Sequence, residues 1–141
     1  MTGRAPSTVT CDLDLRLVGS GDSSLAVPVE LRYDSNDPYA VHATFRTGDD
    51  SVSWVFAREL LADGLRYPCG DGDVRVWPAR ERGRGVVFVG LSSPDGAALL
   101  EAPARSLLAF LEQTYAAVAH GAESAHLDID GAVTRLLGEY F

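Results

Sequence analysis

His120, Glu123 and His126 lie close together near the C-terminal end of the chain and are residue types that can hold a divalent cation. Two histidines four apart on a helix share a face, but these are six apart in a segment read as loop, and no cysteine accompanies them, so the spacing presets no metal site. HLDIDG (His126–Gly131) places Asp128, Asp130 and Gly131 as in part of a calcium loop, yet the closing bidentate glutamate would fall at Leu137. GLSSP (Gly90–Pro94) has serines where a nucleophile elbow carries one, with Pro94 replacing the closing glycine and opposing the strained strand-to-helix turn, so Ser93 and Asp95 are expected to satisfy backbone donors in a plain turn. GSGDSS (Gly19–Ser24) follows a strand as a dinucleotide loop would, but Ser24 stands where the third glycine belongs and Pro28 follows, so it is read as a turn. CGDGD (Cys69–Asp73) is read as another turn, and His42 as a solvated or hydrogen-bonded residue on a polar strand face. Cys11 and Cys69 are expected to remain unpaired, Cys11 as a small core residue and Cys69 in a loop. No residue is therefore assigned to catalysis, a cofactor or a metal, and the reading is of a protein that is not an enzyme and uses no cofactor.

The elements that must position these residues are mostly strands. Val9, Cys11, Leu13, Leu15 and Leu17 alternate with polar neighbours, and so do Val27, Val29, Leu31 and Tyr33, a period of two that predicts half-buried strands. Pro28 in the second run argues for an edge or a strand start. A turn over Ser35–Pro38 leads to Tyr39, Val41, Ala43 and Phe45, which form a hairpin with the preceding run, and the TGDD turn (Thr47–Asp50) feeds a strand over Val52–Phe56. Arg58–Asp63 is predicted as a short connecting helix, with Gly64 in the left-handed position that follows a helix. Asp73–Trp77 and Gly85–Ser92 are predicted to pair, the second so apolar that it must be central and covered on both faces. Two helices follow. One starts near Pro103 and runs to about Ala119, with Leu107, Leu108, Leu111, Tyr115 and Val118 on one stripe. The other runs from an Asp128 cap to Tyr140. The fold class is α+β, an antiparallel β barrel or paired sheets of about six to seven strands with two C-terminal helices. Residues 1–7 are read as a frayed tail and 8–141 as one domain.

Charge narrows the partners. The chain carries 20 acidic and 12 basic residues, a net charge of −8. Nucleic-acid affinity comes largely from basic groups that displace counterions, so this balance opposes it, and anionic membranes are disfavoured for the same reason. The N-terminus lacks the apolar run of an export signal and no stretch would span a bilayer, so the expected location is cytoplasmic, without membrane insertion. A local exception is Arg80, Arg82 and Arg84 at a hairpin tip, read first as a solvated turn and second as a contact for phosphate or an acidic partner. Trp54 and Trp77 are read first as core anchors. Spare apolar surface at Val55 and Trp77, with the terminal Tyr140 and Phe141, is nominated for protein contacts.

Four longer phrases carry a resemblance. LRYDSNDPYAVHATF (Leu31–Phe45), WVFARELLADGL (Trp54–Leu65), GDVRVWPAR (Gly72–Arg80) and LSSPDGAALLEAPAR (Leu91–Arg105) resemble the SsgA-like proteins, regulators of sporulation-associated cell division in filamentous actinobacteria. The match runs from Thr8 to about Leu137 and differs around Val18–Ser24, Tyr67–Cys69 and after Ala119. It implies a fold similar to the Whirly nucleic-acid-binding proteins, a homotrimer, and a non-enzymatic role in recruiting or positioning the tubulin-like division protein FtsZ at the septum, alone or with a sister SsgA-like protein. The alternative is a single-stranded nucleic-acid-binding module using that inherited fold, with Trp54 or Trp77 stacking bases and the Arg80–Arg84 tip on phosphates.

Overall fold

The period-two runs become long strands. The computed structural model describes residues 7–19 and 24–126. Within them β1 (Thr8–Val18), β2 (Ser24–Asp34), β3 (Ala40–Thr47), β4 (Asp50–Ala57), β5 (Val74–Glu81), β6 (Arg84–Ser93) and β7 (Gly96–Pro103) form one antiparallel sheet in the order β4-β3-β2-β1-β7-β6-β5. Two meanders, β1 to β4 and β5 to β7, meet where β1 pairs with β7 through Arg16↔Glu101 and Leu17↔Leu100 only. An ion pair of 2.9 Å between Arg16 and Glu101 crosses that short seam.

Three helices complete the described chain: α1 (Arg58–Gly64), α2 (Ala104–Ala117) and α3 (Glu123–His126). The inner face of the sheet collects Val29, Leu31, Tyr33, Val41, Val87, Val89 and Leu100, all nearly fully buried, against Leu61 of α1 and Leu107, Phe110 and Leu111 of α2. Each such aliphatic or aromatic side chain contributes roughly 1.5–3 kcal/mol by leaving water. The interior void, bordered by Leu15, Phe45, Phe56 and Leu107, is only about 20 Å³. A cavity of that size holds at most one water, so this core is packed and offers no ligand chamber. α1 lies against both β4 and β5, the two edge strands, and so spans the opening that the sheet leaves.

Several expectations change in detail. β7 was not foreseen as a strand: its Ala97–Ala102 stretch is made of helix formers, yet it fills the place between β1 and β6, where pairing on both sides overrides propensity. Pro28 lies inside β2 opposite Asp14, in an interior strand rather than at an edge or start. The β2–β3 ladder begins only at Val29, so the missing N–H of Pro28 leaves no β3 partner unsatisfied. Gly64 is the last residue of α1 and does not have a positive φ. It is buried where a Cβ would run into the side chain of Val76, so glycine is required there by close approach of α1 to β5. β6 is covered on one face by α2, whereas on the other Phe88 is half-buried under Trp77. On α2 the buried stripe is Leu107, Phe110, Leu111 and Thr114, and Leu108 is 48% exposed because it stands about 100° round the helix from Leu107. Pro103 ends β7 and immediately precedes α2. The Asp128–Tyr140 helix, its Asp128 cap, the calcium-like loop, and Tyr140 and Phe141 lie outside the described residues.

Candidate functional site

Arg58 is the charged residue the fold treats most unusually. It opens α1 and is 1% exposed, among the largest fully buried side chains. The alternation of β4 explains its direction: Trp54 and Phe56 point inward, and Arg58 continues that phase past the strand end. Its guanidinium lies 4.1 Å from the ring centre of Tyr115 and 4.9 Å from that of Tyr33. Nη1 donates to the carbonyls of Thr114 (3.1 Å), which also accepts the Val118 N–H, and of Val118 (2.8 Å), both at the C-terminal end of α2, and Nη2 donates to Glu123 Oε2 at 2.9 Å. One planar cation thus ties β2, α1, the end of α2 and the start of α3 together.

Electrostatics follow from this burial. Burial pushes the Tyr33 phenol up to about 12, against the opposing pull of Arg58, and its hydroxyl donates to the Pro38 carbonyl at 2.9 Å. Burial likewise raises Tyr115. The Glu123 carboxyl is held below its ordinary value by its own backbone N–H, with Arg58 and the Gly121 N–H adding to the effect against burial. Sequence reasoning missed this cluster because Arg58 was read as part of a brief connector. The signal was there: a strand phase of Trp54, Phe56 and Arg58 running into an inward position.

The residues first considered for chemistry are engaged elsewhere. Glu123 pairs with Arg58, and His120 packs at a tilt against Tyr115. Among the described residues no three of His, Cys, Asp and Glu converge as a metal site. The Ser93 hydroxyl accepts the Asp95 N–H at 3.3 Å, as expected of a turn, and His42 bonds to Asp37 at 3.2 Å on the polar face. Cys11 and Cys69 are free and half-buried. Burial raises both thiols, with Asp12 and Asp63 adding to it, which makes them poor thiolate nucleophiles. Cys69 is locked by paired backbone hydrogen bonds with Val76.

The nominated contact residues separate. Val55 is 56% exposed on the outward face of β4, whereas Val52, 46% exposed, has the inward phase of Trp54 and Phe56. Trp77 is on β5, the opposite edge of the sheet, half-buried and stacked on Phe88 at 5.7 Å, so it serves mainly as a cover for that face. Trp54 is half-buried against the core. The two tryptophans do not form one stacking platform. Val55 remains as an exposed apolar residue on an edge strand whose outer side is unpaired among the described residues.

Comparison with known proteins matches this architecture. Residues 27–123 fit the family model described as "Streptomyces sporulation and cell division protein, SsgA". The chain is 60% identical over 134 residues to the sporulation-specific cell division protein SsgB of Streptomyces coelicolor, covering 94% of this chain and 98% of that one. A solved structure from work relating SsgB mutations to longitudinal cell division during sporulation of Streptomyces coelicolor superposes with a TM-score of 0.85 at 59% identity, covering 89% of this chain and all of that one. An SsgA-like sporulation-specific cell division protein from Thermobifida fusca gives 0.85 at 38% identity, over 95% and 98% of the two chains. With the sheet order, the helices and the sequence all in agreement along most of its length, the chain belongs to the SsgA family of sporulation and cell division proteins.

Proposed function

We propose that this cell-division protein is a non-catalytic adaptor that recruits or positions FtsZ at septum sites, acting in the cytoplasm as a homotrimer and with other SsgA-like proteins as partners. The observation that carries the reading is 60% identity along nearly the whole chain to a relative named as a sporulation-specific cell division protein. The chemistry agrees with an adaptor. The buried charge at Arg58 is spent on holding helices together, and the exposed Val55 on the outward face of β4 offers apolar surface to another protein. A net charge of −8 and tryptophans on opposite edges weigh against a single-stranded nucleic-acid module.

Co-sedimentation with FtsZ polymers tests the proposal. Folded protein at tens of micromolar is expected to pellet with polymer and to raise polymer mass, and light scattering of the free protein is expected to give three times the chain mass. Failure to pellet, with polymer mass unchanged, would count against FtsZ as the partner.

A further inference from the structure

The end of α1, the turn between β5 and β6 and the start of α2 enclose a groove of about 940 Å³. Arg66, Arg84 and Arg105 line it, each exposed, and among the described residues no carboxylate does. None of the three has an ion-pair partner among the described residues, whereas Arg16, Arg32 and Arg58 each do. Three unpaired guanidinium groups within one hollow are unusual in a chain of net charge −8, where most of the surface repels anions. α2 adds the same sign, since its first turn has no acidic residue and no side-chain cap. Glu81, which sits opposite Arg84 across the hairpin, borders a second hollow with Arg16, Glu101 and Arg84 itself, without forming an ion pair with Arg84.

The walls between the arginines are apolar: Leu65, Pro103 and Leu108. Leu108 is the member of α2 that the core leaves 48% exposed. Guanidinium forks match carboxylates in two-point contacts, and clusters of arginine are a recurrent means of reading acidic motifs. A bare polyanion such as nucleic acid would gain from the three cations, but it would leave the leucines unused and meet the acidic surface beyond. We propose that this groove is a docking site for an acidic peptide segment of a partner protein, its carboxylates held by Arg66, Arg84 and Arg105 and an apolar side chain received by Leu65, Pro103 and Leu108. The inference is independent of whether FtsZ is the partner.

Fluorescence anisotropy of a labelled peptide of repeated Asp-Asp-Leu, titrated with the full chain, tests it. Saturable binding is expected, weakened about tenfold or more in R84Q/R105Q and by raised salt, as loss of two charge-assisted contacts requires. R46Q/R75Q, which removes the same charge outside the groove, should bind as the parent does. A repeated Asp-Asp-Ser peptide should bind more weakly than the leucine version. No binding, or equal loss in the two double variants, overturns the proposal. So does an oligothymidylate probe that binds more tightly than the peptide and is lost in R84Q/R105Q. Melting curves confirm that the variants fold; should R84Q/R105Q fail, the single variant R105Q takes its place with the same required direction.

Discussion

A buried arginine is tolerated only when every direction it faces is answered. Arg58 has two carbonyls, one carboxylate and two aromatic faces, which replace the water it gave up. Removing it as Arg58→Ala leaves Glu123 and the end of α2 without that cation, and the expected loss is about 3–5 kcal/mol, read as a lower urea midpoint. Arg58→Lys keeps the charge but lacks the planar fork, so it should fall between the two, and a lysine variant as stable as the parent would refute the geometric argument. The same cluster sets a pH dependence. The folded Glu123 carboxyl titrates below its ordinary value of 4.5, so the native state releases that proton more readily than the unfolded chain. Its stabilisation is complete above that ordinary value and is lost as pH falls through the lower folded value. Melting temperature should therefore drop between about pH 5 and 3 less steeply in Glu123→Gln than in the parent.

At the scale of elements, two positions show how closely backbone and sequence agree. The β5–β6 turn has Arg82 at φ 53° and Gly83 at φ 78°, with Glu81 opposite Arg84, so both central residues adopt the left-handed conformation that suits a two-residue hairpin. Glycine adopts it freely and arginine does not. Arg82→Asn, which gives the preferred Asn-Gly pair, should raise stability by up to about 1 kcal/mol, and an unchanged melting temperature would show that the turn is not strained. Gly64 presents the opposite case. An added methyl would meet Val76 in the core, so Gly64→Ala should cost about 1–3 kcal/mol by forcing α1 away from β5, a loss visible in chemical denaturation. A conventional helix-ending glycine would give a comparable loss through backbone strain, but the φ of Gly64 excludes that cause.

For the whole molecule, function rests on what a packed and continuous sheet leaves outside. With its interior filled, the chain has its edges, grooves and charge left for partners. Val55→Asp on the exposed edge of β4 should abolish pelleting with FtsZ while shifting the melting temperature little, since an outward side chain is being changed; undiminished pelleting would move the contact to another face. Much of this organisation was legible beforehand. Period-two alternation placed β1 to β6, helical spacing placed α2, and the four phrases identified the family, because burial on one face imposes a pattern that local residues must carry. The amino-acid order alone also set the acid charge balance that argues against polyanions. Tertiary structure decided the rest. β7 carries no strand alternation and is seen as a strand only when two neighbours pair with it, Gly64 reads as a terminator until Val76 is seen against it, and Arg58 and Glu123, 65 residues apart, meet only when α2 folds back over the sheet. Likewise Arg66, Arg84 and Arg105 come from three separate segments and form a groove only in space. Periodicity records which face a residue shows to the core, whereas contacts between distant segments depend on how whole elements pack and leave no local mark.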